Sequence, residues 1–278
     1  MTKHIGKERL TITMRKDVLA SLDKFIDGKK IRNRSHAIEY IVGHYLGAGI
    51  DTCVILAAGK EEQSTSPLLR IQNRPVIAYT IELLRQAGIH KIILVTSGGR
   101  QDLQKYLGDG SQWKINITYI EDYKGTGTAH SLHLAKDYIK DTFILMYGDI
   151  LIDIDIQEIV KFHKEQDDVI STMAVTGCSN MSLYGVTELQ GSRVYRIIEK
   201  PQAHTKSNLV YSGMSVCEPS LLDYLDIKNK NYITRDVMPD LAHRGQVAGY
   251  PFTGKWFDIS HPEEYELAQQ QWAQTMTD

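Results

Sequence analysis

An apolar run that ends in a tight turn, Thr52-Cys-Val-Ile-Leu-Ala-Ala-Gly59, constrains the fold of this 278-residue chain more than any other stretch. A continuous apolar run of this length is typical of a parallel strand buried on both faces. Glycine at its end lets the backbone approach a ligand closely, and the amides that follow can face a phosphate. Because open α/β sheets bind nucleotides at the carboxyl ends of their strands, the run predicts a nucleotide site at this turn.

Strands and helices alternate through residues 51–278, which predicts an α/β domain with a mostly parallel sheet and helices on both faces. In its first half, strands are predicted at Cys53–Ala58, Lys91–Thr96, Ile115–Ile120 and Thr142–Tyr147, and helices at Val76–Ala87, Gln101–Leu107 and Thr128–Tyr138. In its second half, antiparallel pairing makes the sheet mixed, with strands predicted at Val169–Val175, Gly185–Gln190, Arg193–Glu199 and Leu209–Val216 and helices at Pro219–Leu225 and Pro262–Thr275.

The bulk composition predicts a cytoplasmic protein. No run of about 18 apolar residues is present, so no membrane span is expected. The first residues lack the apolar segment of a secretory signal. Cys53, Cys178 and Cys217 are widely separated, which indicates reduced core residues with no metal-binding spacing.

Residues 1–48 form a basic segment, with ten lysine and arginine residues against five acidic ones, although the whole chain has a net charge of −2. A basic head on an acidic body is typical of a protein whose head meets nucleic acid. The alternative is that these charges only solvate a dimerisation arm.

The pattern within this head predicts one strand and two helices. Apolar and polar residues alternate over Leu10–Met14, and an amphipathic helix with Val18 and Leu22 on its apolar stripe follows. Asn33 or Ser35 can cap a second helix. A single strand leaves both edges unpaired and two short helices cannot close a core alone, so we expect an intertwined homodimer that pairs two strands.

This order of elements resembles the ribbon-helix-helix family of transcriptional regulators over roughly residues 7–47. In that family a two-stranded ribbon enters the major groove of double-stranded operator DNA. The resemblance implies DNA contacts from the outward strand residues and from the start of the second helix, namely Arg9, Thr11, Thr13, Asn33, Arg34 and Ser35. Gly47-Ala-Gly49 would be a short hinge between a domain of residues 1–48 and one of residues 51–278; whether dimers pair into tetramers is left open.

Several local patterns in the large domain fit ligand chemistry. Gly125-Thr-Gly-Thr-Ala129 precedes a predicted helix, so its amides and hydroxyls can meet a base or a phosphate. Asp149 ends a buried strand, and Asp258 lies in a second apolar setting. An acid pair of this kind suits Mg²⁺, which takes carboxylates together with phosphate oxygens. A lone aspartate after a strand is more often a turn or cap residue, so each pattern is weak by itself.

Together and in this order, these motifs resemble the sugar-phosphate nucleotidyltransferase family, which joins a nucleoside triphosphate to a sugar 1-phosphate and releases pyrophosphate. The resemblance covers nearly all of residues 52–270 and includes Tyr147-Gly-Asp149, Tyr184-Gly-Val186, Glu199-Lys-Pro201 and Trp256-Phe-Asp258. It implies that Asp149 and Asp258 hold Mg²⁺, and that these two residues and Lys200 are catalytic only if the domain is active. The ligand-binding residues that it implies are Ala58, Gly59, Gly127, Thr128, Gly185, Glu199, Lys200 and Gly213.

The turn after Gly59 departs from this family's pattern. The second glycine, the Thr-Arg pair and the lysine that clamp the triphosphate are absent, Ser66 stands in the lysine's place, and the loop is shorter than usual. Nucleotidyl transfer relies on electrostatic stabilisation, so the loss of these cations predicts weak or no catalysis. We therefore expect a DNA-binding transcriptional regulator whose degenerate domain senses a nucleotide, nucleotide-sugar or sugar phosphate. The alternative is an active sugar-1-phosphate nucleotidyltransferase that also binds DNA.

Overall fold

Residues 11–24, 26, 31–45, 49–58, 67–99, 101–225 and 228–272 are described by the computed structural model of the chain. The chain divides into two compact units, Met1–Leu46 and Gly47–Asp278. Arg9 and Gly59, both predicted to contact ligands, lie outside the described residues, as does the rest of the segment 59–66.

The first unit contains two helices, α1 (Lys16–Asp23) and α2 (Arg34–Tyr45). The side chain of Asn33 accepts a hydrogen bond from the backbone N–H of His36 at 2.9 Å, so Asn33 caps α2 as predicted. Arg34 pairs with Asp23 at the end of α1, with Nε 2.7 Å from Oδ1, and this contact ties the two helices together.

The strand predicted over Leu10–Met14 is not found in the described residues of this segment. Residues 11–14 pair with no other strand, and Thr11, Thr13 and Ser35 are exposed. Strand hydrogen bonds require a second strand, which a single copy of this unit does not provide. The ribbon-helix-helix dimer and its DNA contacts therefore stay predictions.

The described part of the second unit is built on thirteen strands. They are β1 (Thr52–Ala57), β2 (Arg70–Ile71), β3 (Arg74–Pro75), β4 (Lys91–Ser97), β5 (Asn116–Asp122), β6 (Phe143–Tyr147), β7 (Ile150–Ile152), β8 (Ser171–Gly177), β9 (Gly185–Gln190), β10 (Arg193–Glu199), β11 (Leu209–Cys217), β12 (Val247–Pro251) and β13 (Trp256–Asp258). Nine of these form one sheet in the order β5-β4-β1-β6-β11-β8-β12-β10-β9.

This sheet is mixed, as the sequence predicts. Its first four strands are parallel, with Val54 of β1 paired to Ile93 of β4 and to Leu145 of β6. β11 is antiparallel to both β6 and β8, and it joins the two halves of the sheet. The order reverses at β1, because β4 and β5 extend to one side of it and β6 lies on the other. Ligands of open α/β sheets bind at such a switch point.

Helices cover both faces of the sheet. They are α3 (Val76–Gln86), α4 (Gln101–Leu107), α5 (Thr128–Leu134), α6 (Ile156–Lys164), α7 (Met238–His243) and α8 (Pro262–Gln271). One apolar core lies under α3, α4 and α6 and includes Ile81, Leu103 and Ile159. A second core lies under α5 and α7 and includes Leu132 and Leu241. Among the described helices, none combines the length and apolar character that a membrane span needs.

Several predicted helices change form. The helix predicted over Thr128–Tyr138 is α-helical only to Leu134, and a 3₁₀ turn occupies Lys136–Tyr138. The segment Pro219–Tyr224 is a 3₁₀ helix. Helix α6 was not predicted, although Asp155 caps it by accepting from the N–H groups of Gln157 and Glu158. Nor was the small sheet formed by β7 and β13 alone, called here the β7–β13 ribbon.

Candidate active site

The carboxyl ends of β1 and β6 meet at the switch point of the sheet. Leu56 pairs with Tyr147, and the N–H of Gly148 donates to the carbonyl of Leu56 at 2.9 Å. A Cβ at Gly148 would lie 2.9 Å from the Cβ of Ala57, so glycine is needed for this close approach. Asp149 follows at once, and Ala58 lies at the adjacent strand end.

The β7–β13 ribbon brings Asp258 beside Asp149. Asp258 is paired with Ile150 across the ribbon, and the N–H of Ile259 donates to the carbonyl of Asp149 at 3.1 Å. Burial, followed by the nearby negative charge of Asp258, raises the pKa of Asp149 to about 7. Within the described residues, no lysine, arginine or histidine forms an ion pair with Asp149. Asp149 is therefore the member of this acid pair that has no basic partner in the described part of the chain.

The chain fixes the Asp258 carboxylate on one side. Its Oδ1 accepts from the backbone N–H of Ser260 at 3.0 Å and from the Ser260 hydroxyl at 2.5 Å. The imidazole Nε2 of His261 is 3.8 Å from Oδ2. These contacts hold the side chain in one orientation next to Asp149.

This donor set fits a magnesium ion that shares its ligands with a phosphate. Among the described residues, no group of three or more histidine, cysteine, aspartate or glutamate side chains could enclose a metal. Mg²⁺ does not require such a group, because it keeps several waters and binds through one or two carboxylates plus substrate phosphates. Asp149 and Asp258 are the residues that would hold it.

A cavity of about 350 Å³ lies next to the acid pair. The residues that line it are Tyr147, Ile150, Leu183, Tyr184, Gly185, Glu199, Lys200, Tyr211, Gly213, Thr234, Trp256, Asp258, Ser260 and His261. The structure therefore brings together five of the residues singled out from the sequence, which are Gly185, Glu199, Lys200, Gly213 and Asp258.

Gly185 and Glu199 are direct partners in the register of β9 and β10. A Cβ at Gly185 would lie 3.0 Å from Oε2 of Glu199, so the carboxylate packs against the glycine. Burial raises the pKa of Glu199, while the charges of Lys200 and Arg235 oppose that shift. Lys200 has a left-handed backbone with φ of 44°, and its N–H donates to the carbonyl of Tyr184 at 3.0 Å.

Aromatic rings form the apolar wall of the cavity. Tyr147 and Tyr211 meet edge to face with ring centroids 5.9 Å apart, and the Tyr211 hydroxyl accepts from Ser215 at 3.0 Å. Trp256 donates its indole N–H to the carbonyl of Ser212 at 2.8 Å. Gly213 has φ of +86°, and a Cβ there would lie 2.7 Å from Cγ1 of Ile150. The rings are thus held by the chain itself.

Gly127 and Thr128 hold a neighbouring segment of the chain. A Cβ at Gly127 would lie 2.3 Å from the carbonyl oxygen of Asn231, and φ of Gly127 is +134°. The hydroxyl of Thr128 accepts from the N–H of Ile233 at 2.9 Å. It also hydrogen-bonds Tyr147, as does the hydroxyl of Thr234. Gly127 and Thr128 therefore position the segment that contains Thr234, a residue of the cavity wall.

Four polar or charged residues at or beside this site were not predicted, namely Thr234, Arg235, Ser260 and His261. Ser260 and His261 follow the motif Trp256-Phe-Asp258 within three residues of Asp258, and this short spacing could have identified them. No pattern marks Thr234 and Arg235. They lie on a single π-helical turn, Ile233–Val237, that leads into α7.

The site thus combines a switch-point cavity, an acid pair, a lysine and a half-buried glutamate, an arrangement typical of α/β proteins that bind phosphorylated ligands. Within this class, the chain belongs to the nucleotidyl transferase family, whose model matches residues 53–275.

Curated relatives are similar over most of the chain. The "Mannose-1-phosphate guanylyltransferase catalytic subunit beta" of Xenopus tropicalis is 29% identical over 72% of this chain and 56% of its own length. The "Mannose-1-phosphate guanyltransferase" of Neurospora crassa is 30% identical with the same coverage. The chain thus spans about half the length of these relatives.

Solved structures share the fold. A UDP-glucose pyrophosphorylase complexed with UDP-glucose superposes with a TM-score of 0.69 at 22% identity, and the match covers 81% of this chain and 99% of that one.

These findings correct the expectation of a DNA-binding regulator with a degenerate sensor domain, which was wrong. The family match runs through the shortened loop, and the curated relatives are named as transferases. The expectation gave decisive weight to cations missing from residues 59–66, whereas the acid pair, Glu199 and Lys200 lie on other elements.

Proposed function

We propose that this chain is an active sugar-1-phosphate nucleotidyltransferase. The observation that carries the proposal is the pairing of Asp149 with Asp258 at the rim of a cavity that also presents Glu199 and Lys200. Besides a nucleotide site, this reaction requires carboxylates for a metal ion and a site for a phosphorylated sugar.

The reaction is a displacement at phosphorus. A phosphate oxygen of the sugar 1-phosphate forms a bond to the α-phosphorus of the nucleoside triphosphate, and the bond from that phosphorus to the bridging oxygen breaks. Pyrophosphate leaves with the electron pair of the broken bond. A bound Mg²⁺ would neutralise phosphate charge, and the protein's main task is to position the reactants and stabilise charge.

The acid pair and several residues that line the cavity have separate tasks in this scheme. Asp149 and Asp258 would hold a metal ion, whose charge would offset that of the phosphates. Lys200 places a positive charge beside the phosphate of the sugar. Glu199 accepts hydrogen bonds from sugar hydroxyls, and Gly185 leaves room for that carboxylate. Tyr147, Tyr211 and Trp256 offer apolar ring surface to the C–H groups of the sugar.

The names of the curated relatives supply the first substrates to test, which are GTP and mannose 1-phosphate. UDP-glucose, the ligand of a structural neighbour, supplies the second pair, UTP and glucose 1-phosphate. The identity of the base and the identity of the sugar that this chain uses are therefore proposed, not shown.

Pyrophosphate release tests the proposed function. The purified chain is incubated with Mg²⁺, each of the nucleoside triphosphates and each of a panel of sugar 1-phosphates. We expect release with at least one pair, dependent on both substrates and abolished by chelation and by Asp149→Ala. Absence of release with every pair, or release that persists in Asp149→Ala, would overturn the proposal.

A further inference from the structure

Phosphate groups need positive charge, and the first loop of this chain does not supply it in the usual way. Residues 59–66 contain one lysine and two glutamates and no arginine. A sugar 1-phosphate and a nucleoside triphosphate together carry several negative charges into the site. A cation from another element is therefore expected near the cavity.

Arg235 lies on an element beside the cavity, although its exposed side chain is not among the residues that line the cavity. The π-helical turn Ile233–Val237 packs against β10, the strand that ends with Glu199. Thr234, the residue before Arg235, lines the same cavity as Glu199 and Lys200. The guanidinium charge acts on Glu199 by opposing the rise that burial causes in its pKa. Single π-helical turns are frequent at functional sites, because the extra residue redirects side chains.

The guanidinium is fixed in place before any ligand binds. Its Nε and Nη2 donate to the two carboxylate oxygens of Asp236 at 2.7 and 3.0 Å. The ring of Tyr232 lies 4.4 Å from the Arg235 Cζ atom. Asp236 is itself held by the backbone N–H groups of Asn231 and Tyr232, both at 2.9 Å. Among the described residues Nη1 has no hydrogen-bond partner, so its two N–H groups are available to an anion.

We propose that Arg235 donates from Nη1 to the phosphate of the sugar 1-phosphate, so that this phosphate lies between Arg235 and Lys200. The inference rests on the proposed function, since it names a further binding residue of that site. In this arrangement Asp236 orients the arginine through Nε and Nη2. Nη1 of the planar guanidinium remains free for one or two contacts with phosphate oxygens.

A purely structural pair is the competing explanation, because Arg235 and Asp236 together could only fasten the segment 231–232. The two explanations differ in what Asp236 does. If the pair is structural, losing either partner has the same effect. If Arg235 binds phosphate, removing the negative charge of Asp236 while keeping its oxygen acceptor leaves phosphate binding intact or strengthens it.

Direct binding of mannose 1-phosphate and of inorganic phosphate, measured by calorimetry without nucleotide, tests the proposal on the full-length chain. We compare Arg235→Gln, Arg235→Lys and Asp236→Asn with the unmodified protein. We expect Arg235→Gln to weaken binding roughly ten- to hundredfold, the usual effect of losing a hydrogen bond to a charged group. Arg235→Lys should recover part of the loss, and Asp236→Asn should bind at least as tightly as the unmodified chain.

Thermal unfolding of each variant accompanies these titrations. Equal weakening in Arg235→Gln and Asp236→Asn with equal losses of stability would overturn the proposal in favour of a structural pair. Unchanged binding in Arg235→Gln would also overturn it, as would failure of the unmodified chain to bind either ligand. Failure of the transferase proposal gives a different result, in which phosphate binding depends on Arg235 but no substrate pair releases pyrophosphate.

Discussion

Asp258 pairs with Ile150 across the β7–β13 ribbon. Because Asp149 directly precedes Ile150 in the chain, this pairing places the carboxylates of Asp258 and Asp149 side by side. Two carboxylates that are close together and partly buried repel each other when both are ionised. The strain is relieved when a divalent cation binds between them, so the same geometry that favours metal binding lowers the stability of the metal-free protein.

Asp149→Asn should therefore raise the stability of the metal-free protein and lower its activity. Without metal at neutral pH, we expect the variant to be more stable by about 1 kcal/mol or more, because one unit of pKa corresponds to about 1.4 kcal/mol. Turnover should fall on the order of 10²-fold or more. Thermal unfolding in the presence of a chelator, with pyrophosphate release measured in parallel, provides the check. A variant that is less stable than the parent would contradict the acid-pair repulsion.

Gly185→Ala should disturb sugar binding through Glu199. The added Cβ would lie 3.0 Å from Oε2 of Glu199, so the carboxylate must move. We expect KM for the sugar 1-phosphate to rise roughly tenfold or more, with a smaller change in kcat. Gly177→Ala is the matched control, because this strand glycine has an ordinary φ and its Cβ would meet nothing closer than 3.8 Å. Equal KM values in both variants would show that Glu199 does not contact the sugar.

Thr128→Val should loosen the segment that carries Thr234 and Arg235. The substitution removes the hydroxyl that accepts from the N–H of the buried residue Ile233. A buried donor left without a partner costs about 1–3 kcal/mol of unfolding free energy. Thr128→Ser keeps the hydroxyl and serves as the control. Urea unfolding of both variants measures the difference, and similar stabilities would mean that this hydrogen bond contributes little.

His163 predicts a loss of stability at acidic pH. It is buried, with Nδ1 2.7 Å from the hydroxyl of Thr172 and Nε2 3.0 Å from Oε1 of Glu218. Burial lowers its pKa below the ordinary value of 6.5, and the interactions with Glu218 oppose this shift only in part. The unfolded chain therefore binds a proton at His163 before the folded chain does, and stability falls as pH drops below about 6.5.

Substitution of this histidine tests that assignment. In His163→Gln, the decline of the melting temperature between pH 7.5 and pH 5.5 should be shallower than in the parent protein. His204→Gln, at an exposed position, should keep the parental slope. A parental slope in His163→Gln would assign the acid sensitivity to other groups.

Much of the sheet follows from hydrophobic pattern alone. The strands β9 and β10 and the helix α4 have the predicted bounds, since turn residues and alternating side chains mark both ends. The β7–β13 ribbon could not be predicted in this way, because strands of three residues are too short to show a period. Its pairing connects residues more than a hundred positions apart, and only the folded chain brings them together.

Residues of the candidate site could be predicted where a charged side chain lies at the end of a strand. Asp149 and Glu199 each come at or directly after a strand end, and parallel or paired strands bring such ends together. Arg235 gave no such signal, since a π-helical turn has no distinct sequence pattern and its neighbours are polar. The missing loop cations were a poor guide to function, because the acid pair, Glu199 and Lys200 lie on other elements.

The β7–β13 ribbon also determines where this chain tolerates insertions and deletions. Removing one residue from Ile150–Ile152 or Trp256–Asp258 would turn the following side chains to the opposite face and separate the two acids, because side chains alternate along a strand. Residues 59–66 belong to neither strand, so a change in their number leaves that register untouched. A family member can therefore lose part of its first loop during evolution and still keep the distance between its two aspartates.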